Sequence, residues 1–197
     1  IGATMKARPE KRSIAVEVAE MRVDRAGGDP TIVGYACVFN AFSVDLGGFI
    51  ETWEPGAFRA ALAAQADVRY LVNHDPSLIL GRTLAGTLSL IEDERGLLAT
   101  CRPPATAIGE HYLSAVERRD ITGMSFRFYV AKETWDFNAN PPQRRVIEAD
   151  IDDVCLATYP AYPDSSAAVR TLRAARPKPS PRSDSLRERY QRLLETV

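Results

Sequence analysis

Apolar and polar residues alternate with a period of two over several stretches of the chain, and this pattern is typical of strands. It predicts strands over residues 13–23 and 31–39, which the turn-forming sequence RAGGDP separates. Residues 67–72 (DVRYLV) continue the strand pattern. Two apolar runs within residues 86–102 are separated by a charged turn that ends in Gly96, and they predict a β-hairpin.

The later part of the chain carries the longest strand patterns. Residues 123–137 and 144–159 flank the polar sequence NANPP, and together they predict a hairpin with an extended loop. Helical spacing of apolar residues instead predicts short helices over residues 54–65 and 107–119. Six to eight strands without regular βαβ alternation predict a mainly β fold, an antiparallel closed or nearly closed barrel surrounded by two or three helices.

The charge is distributed unevenly, although the 197-residue chain has a net charge of only −1. Residues 1–12 carry four Lys/Arg and one Glu (+3), residues 13–169 carry 13 basic and 22 acidic residues (−9), and residues 170–197 carry eight and three (+5). An acidic body is a poor surface for phosphate backbones, so we expect no specific nucleic-acid partner. No stretch approaches the roughly 20 uncharged apolar residues of a membrane span, so we expect no membrane partner.

Composition also suggests where the folded part of the chain ends. Residues 1–12 read as a basic N-terminal extension, and residues 13–172 carry the strand and helix patterns of one domain. Residues 173–183 are rich in Pro, Ser and Arg, which is typical of a linker. Residues 184–197 have apolar residues at helical spacing and predict a final amphipathic helix.

The residues that could hold a metal ion are few and poorly spaced for that role. Cys37, Cys101 and Cys155 are far apart and lie in apolar strand-like sequence, which is typical of reduced thiols. Only His74 and His111 accompany them, and the chain has no C-x-x-C or H-x-x-x-H pair. We therefore predict no disulfide, no metal site and no cofactor.

Ser125 is a candidate nucleophile in an unusual setting, because GMSFRF reads as a strand rather than as the G-x-S-x-G turn. An attacking serine needs a base within hydrogen-bond reach. His74 ends an apolar strand and opens a polar loop, where an imidazole can face a cleft, whereas His111 lies in a predicted helix at the surface. Packing roles for Ser125 and His74 stay open at this level, since small strand serines and loop histidines are common.

A carboxylate to orient the base could come from EADIDDVCLATYP, which supplies Glu148, Asp150, Asp152 and Asp153. Alternation along a strand places Asp153 and Cys155 on one face and Asp152 on the other. Asp153 stands where this strand enters the interior, so its carboxylate needs a donor such as a histidine N–H. Cys155 is a rival nucleophile, but its apolar neighbours predict an inert buried thiol.

Six sequences, GYACVFN, ETWEPGAF, YLVNHDPSLILGRT, GTLSLIEDERGL, GMSFRF and DVCLATYPAYP, occur in the order and at about the spacing found in one family. Over roughly residues 31–172 the chain resembles the prohead maturation serine proteases of tailed bacteriophages. That family is similar to the herpesvirus assemblins, which implies a β-barrel with flanking helices.

The resemblance also implies roles for particular residues. Ser125 of GMSF matches the family's nucleophile, His74 of NHD matches its base, and Asp153, which opens DVCLATYP, matches its third catalytic residue. The family often has glutamate at the position of Asp153, so Asp152 and Glu148 stay open as alternatives. The assemblins use an arginine-bearing turn as oxyanion donor, whereas the corresponding sequence here, YPAYPDSS, contains no arginine.

The implied activity is that of a serine endopeptidase with a Ser-His-Asp type triad. Its implied substrates are the major capsid protein precursor, or the scaffolding segment of that precursor, and the protease itself by autoproteolysis. We expect it in the host bacterial cytoplasm, inside the immature capsid, and as a homo-oligomer, by analogy with the assemblins a dimer. The alternatives are a non-catalytic barrel with a structural role and an assembly factor that binds scaffold without cutting it.

Overall fold

The structure, a computed structural model, describes residues 9–15, 19–159 and 171–176. Its strands are β1 (Glu10–Ala15), β2 (Arg22–Asp24), β3 (Thr31–Val38), β4 (Ile50–Trp53), β5 (Arg69–Val72), β6 (Asp75–Arg82), β7 (Leu88–Glu92), β8 (Gly96–Cys101), β9 (Gly123–Asp136) and β10 (Gln143–Leu156). Its helices are α1 (Arg59–Ala63) and α2 (Ala107–Glu117), with a 3₁₀ turn at Thr83–Ala85 and a helical segment at residues 171–175. No helix among the described residues is long and apolar enough to cross a membrane.

The strands form two sheets that share one hydrophobic core. The first sheet has the order β1-β9-β10-β5-β6, and β4 also pairs with β10. The second sheet has the order β2-β3-β8-β7 and is antiparallel throughout. Buried residues of both sheets, such as Leu97 of β8 and Phe126 of β9, belong to the same core cluster. The prediction of a mainly β fold with few helices is confirmed.

The predicted closed antiparallel barrel was wrong. The described strands form two open sheets, and the first sheet is mixed because β4 and β5 both run parallel to β10. β4 and β5 lie one after the other along the same edge of β10, and the segment that contains α1 connects them. Alternation along a strand indicates which side chains are buried but not which strands pair, so this arrangement could not be seen in the sequence.

Several predicted elements are confirmed with shifted ends. The hairpin of residues 86–102 is β7–β8, the second helix is α2, and the long final hairpin is β9–β10. The predicted helix of residues 54–65 shortens to α1 because turns occupy residues 55–58. β6 was missed because it opens with Asp-Pro, a pair typical of turns, but it is the end strand of its sheet and such strands tolerate proline.

The predicted domain boundaries are covered only in part by the described residues. Strand β1 begins at Glu10, so pairing starts within the segment that we interpreted as a basic extension. The predicted strand over residues 13–23 is divided between β1 and β2. Residues 177–183 of the predicted linker and the predicted helix over residues 184–197 lie outside the described residues.

A buried network of charges ties β1 to the rest of its sheet. The Arg144 side chain on β10 is 1% exposed, and its Nη1 lies 2.8 Å from both Glu10 of β1 and Glu51 of β4. Its Nε donates to Glu133 of β9 at 2.6 Å. Arg12 of β1 binds the same Glu51 carboxylate through two hydrogen bonds of 2.8 and 2.7 Å. Burial alone lowers the pKa of Arg144, but its carboxylate partners outweigh burial and raise the pKa above its usual value.

Replacing Arg144 with methionine should destabilise the protein by about 3–5 kcal/mol, because buried carboxylates would lose their main counter-ion. The free energy of unfolding in urea measures this loss. Arg145→Met is a matched control, since that side chain is 62% exposed and contacts Glu54 at 3.2 Å. The control should change stability by less than about 0.5 kcal/mol. Equal effects of the two substitutions would contradict a stabilising network.

Candidate active site

Ser125 lies near the start of β9, in the interior of the first sheet. It is only 2% exposed, and its strand pairs on one side with β1 and on the other with β10. In this register Ser13 and Cys155 are its two cross-strand neighbours. Because both neighbouring strands form ladders with β9, the backbone at Ser125 is fixed without the sharp turn of a G-x-S-x-G motif.

His74 lies in a two-residue turn between β5 and β6. Asn73 and His74 both have positive φ angles, 50° and 60°, and Val72 pairs with Asp75 across the turn. Two consecutive positive φ angles define a hairpin turn that matches strand twist, and asparagine and histidine enter this region more readily than most residues. Asn73 also exchanges two hydrogen bonds with Thr158, of 2.9 and 3.0 Å, which tie the turn to the end of β10.

The structure brings Ser125, His74 and Asp153 into one hydrogen-bonded series. His74 Nδ1 lies 2.5 Å from Asp153 Oδ1, and His74 Nε2 lies 2.8 Å from Ser125 Oγ. The Asp153 side chain is 1% exposed and that of His74 is 9% exposed. When Nδ1–H donates to the carboxylate, neutral Nε2 presents its lone pair to the hydroxyl, as a general base requires.

The hydroxyl of Ser125 has a second acceptor within reach. Its Oγ donates to the backbone carbonyl oxygen of Arg12 on β1, at 2.8 Å. A hydroxyl carries one hydrogen, so it donates either to this carbonyl or to His74 Nε2. For His74 to accept this hydrogen, the hydroxyl must turn from the Arg12 carbonyl to the imidazole.

Arg127 belongs to the site and was missed in the sequence. Its Nη2 lies 2.7 Å from Asp153 Oδ2, and its Nε lies 2.7 Å from Asp152 Oδ2. The signal that could have found it is spacing, since residues two apart in a strand share a face and Arg127 follows Ser125 by two. We had expected Asp152 on the opposite face from Asp153, but a register shift between Ile151 and Asp153 lets both carboxylates reach one arginine.

The remaining candidate residues do not contact Ser125, His74 or Asp153 in the described structure. Glu148 is exposed and lies opposite Lys132 of β9, whereas the carboxylate bonded to His74 is that of Asp153. His111 is exposed on α2 and packs edge-on against Tyr112. The sequence YPAYPDSS, considered for oxyanion donors, lies outside the described residues from residue 160 onward.

Cys155 shares the face of Asp153, as alternation predicts, and lies opposite Ser125. Burial, with a smaller contribution from the negative charge of Asp153, raises the pKa of the Cys155 thiol to about 12. Its thiolate is therefore scarce near neutral pH, and an uncharged thiol is a weak nucleophile.

Among the described residues, His74, Asp153 and Cys155 form one group whose donor atoms lie within 4.8 Å of one another, close enough to hold a metal ion. His74 and Asp153 are already bonded to each other, and the raised pKa of Cys155 disfavours the thiolate that a metal prefers. The donor set therefore suits proton transfer better than metal binding.

A hydroxyl, an imidazole and a carboxylate bonded in series form the arrangement of a serine peptidase. Comparison with known families gives the same class, because the model for caudovirus prohead serine proteases matches residues 16–178. The match covers most of the chain, so the protein belongs to this family and is a serine protease of phage head maturation.

The other comparisons add little to this assignment. The solved structure of the bacteriophage T4 capsid assembly protease is similar over 77% of this chain and 98% of that chain, with 13% sequence identity and a TM-score of 0.49. No curated protein matches the chain.

The state of Cys155 can be checked with a thiol reagent at pH 8. With a pKa of about 12, roughly one thiol in ten thousand is ionised at that pH, and the side chain is buried. Cys37 and Cys101 are buried as well. Ellman's reagent should therefore react slowly with the folded protein and rapidly with three thiols after unfolding in guanidinium. A fast reaction of the folded protein that disappears in Cys155→Ala would contradict this assignment.

Proposed function

We propose that the protein is a serine endopeptidase in which Ser125 is the nucleophile, His74 the general base and Asp153 the residue that orients the base. The observation that supports this proposal is the pair of hydrogen-bond distances at His74, 2.8 Å to Ser125 and 2.5 Å to Asp153. The distance to Ser125 lies in the range that proton transfer between side chains requires, and the contact with Asp153 is a short hydrogen bond that can hold Nδ1–H in place.

The reaction follows from this geometry. His74 Nε2 takes the hydroxyl proton as Ser125 Oγ attacks the carbonyl carbon of a peptide bond. The same nitrogen returns the proton to the leaving amine, and an acyl group remains on Ser125. A water molecule then attacks the acyl carbon with His74 again as base, which releases the acid product and restores the hydroxyl. Asp153 holds Nδ1–H throughout and stabilises the positively charged imidazole.

The substrates that we propose are the major capsid protein precursor, or its scaffolding segment, and the protease itself. Family membership supports this choice, since these enzymes are named for the prohead. We place the reaction inside the procapsid, where enzyme and precursor are enclosed together, and we propose that the enzyme self-associates there. Delayed cleavage has a physical reason, because a scaffold that is cut before the shell closes cannot direct assembly.

Co-expression with a capsid precursor tests the activity. The unmodified chain should shorten the precursor, and Ser125→Ala should leave it intact because no nucleophile remains. Ser89→Ala is a matched control, since Ser89 is an exposed serine on β7 of the other sheet. Gel electrophoresis and mass spectrometry of the precursor provide the measurement. A precursor that stays intact beside the unmodified chain would favour the non-catalytic assembly factor.

The identity of the orienting acid can be tested by removing single charges. Asp153→Asn should slow reaction with a fluorophosphonate by about 10⁴-fold, the loss typical when a catalytic histidine is held in the wrong tautomer. Glu148→Gln should react within about twofold of the unmodified protein, since Glu148 is exposed and lies opposite Lys132. If the larger loss occurred at Glu148, the assignment of Asp153 would be wrong.

A further inference from the structure

The two carboxylate oxygens of Asp153 contact two different side chains. One oxygen, Oδ1, faces His74, and the other, Oδ2, lies 2.7 Å from Nη2 of Arg127. The second contact is an ion pair without the alignment of a hydrogen bond. Asp153 is 1% exposed, so water has little access to Oδ2 and Arg127 is its charged neighbour within ion-pair distance in the described structure. A buried carboxylate without such a neighbour would be strongly disfavoured.

The local backbone is arranged to bring this arginine to the acid. Arg127 is the cross-strand partner of Asp153, and the shift of register after Ile151 inserts Asp152 as an extra residue. The guanidinium therefore lies between two carboxylates, with Nε 2.7 Å from Asp152 Oδ2. Its side chain is 30% exposed and that of Asp152 is 36% exposed, so this outer contact is partly solvated and weaker.

We propose that Arg127 is a positioning residue of the proteolytic site, which fixes the Asp153 carboxylate so that Oδ1 faces His74 Nδ1. This inference rests on the proposed function of the triad. A carboxylate can turn about its Cβ–Cγ bond and exchange its oxygens, and a cation bound to Oδ2 opposes that rotation. The fixed carboxylate in turn selects the tautomer of His74 that presents Nε2 to Ser125.

The charge of Arg127 has a second effect on the same residues. The charged and titratable groups near Asp153 include His74, Arg127, the adjacent Asp152, Cys155, whose thiol pKa is raised by burial, and the cross-strand partner Arg69, which binds Asp67. Without Arg127, the adjacent carboxylates of Asp152 and Asp153 would lose the cation that both contact. Like charges repel each other, so Arg127 also opposes a displacement of the Asp153 carboxylate away from His74.

The test uses the full chain and the rate at which a fluorophosphonate labels Ser125. Arg127→Gln should label about 10- to 100-fold more slowly, the loss typical when a residue behind a bound histidine is removed. Arg127→Lys should recover part of the labelling rate, because a cation remains but the planar guanidinium that contacts both carboxylates is lost. The labelling rate should fall less in Asp152→Asn than in Arg127→Gln. Arg25→Gln is the matched control, since it breaks an exposed ion pair with Glu117 and should label at the unmodified rate.

A spectroscopic measurement separates positioning from general loss of structure. The chain has two histidines, so the ring signals of His74 and of His111 can be assigned by substitution. The low-field proton signal of His74 Nδ1–H, which reports its bond to Asp153, should weaken in Arg127→Gln and persist in Arg127→Lys. The signals of His111 should stay unchanged in both variants and thus report an intact fold.

Each outcome supports or overturns one of the two proposals. If the unmodified protein is not labelled at Ser125, the proposed function itself fails. If it is labelled, and Arg127→Gln keeps both the rate within about twofold and the low-field signal, the positioning role is overturned. If Arg127→Gln does not fold, Arg127→Lys decides. A labelling rate in Arg127→Lys that falls no further than the rate in Asp152→Asn would show that the guanidinium contact with Asp153 does not position the acid.

Discussion

The site depends on the pairing of β10 with its two neighbours. The C-terminal half of this strand carries Asp153 and lies between β9, which holds Ser125, and β5, which leads directly into His74. Neighbouring strands in a sheet are about 4.8 Å apart, so side chains that leave three adjacent strands on one face meet at bonding distance. A shift of one residue in either pairing would turn one of these side chains to the other face and separate the three groups.

Strand pairing at Ser125 takes the place of the sharp G-x-S-x-G turn that holds the serine in many other serine hydrolases. Ser125 lies in a strand and is held by ladders on both sides, whereas the turn that carries the base has positive φ angles at Asn73 and His74. Thr158, just beyond β10, bonds Asn73 and holds that turn against the strand that carries the acid. The base is thus positioned by the same strand as its orienting carboxylate, and the distance between them is fixed locally.

The sequence was sufficient to select Ser125, His74 and Asp153, but it revealed neither Arg127 nor the geometry that joins these side chains. Ser125 and His74 stood out by residue type and by family motif, and alternation correctly placed Asp153 and Cys155 on one face. The extra residue at Asp152 shifts the alternation, since core residues fall at 149 and 151 before it and at 154 and 156 after it, but the sequence does not show which residue of β9 lies opposite. The parallel pairing of β5 with β10 was invisible for a related reason, since the pattern of a strand does not specify its direction.

The N-terminal strand connects the stability of the sheet to the state of the nucleophile. By alternation Arg12 faces the side of the sheet opposite Ser125, and there its guanidinium joins the buried network around Glu51. Its carbonyl, in the plane of the sheet, accepts the hydrogen of Ser125 Oγ. In the proposed mechanism His74 removes that same hydrogen, so the network that anchors β1 also maintains a competing acceptor for it. The acceptor strength of one backbone carbonyl would therefore enter the free energy of the first step of the proposed reaction, although Arg12 lies 113 residues from Ser125 in the chain.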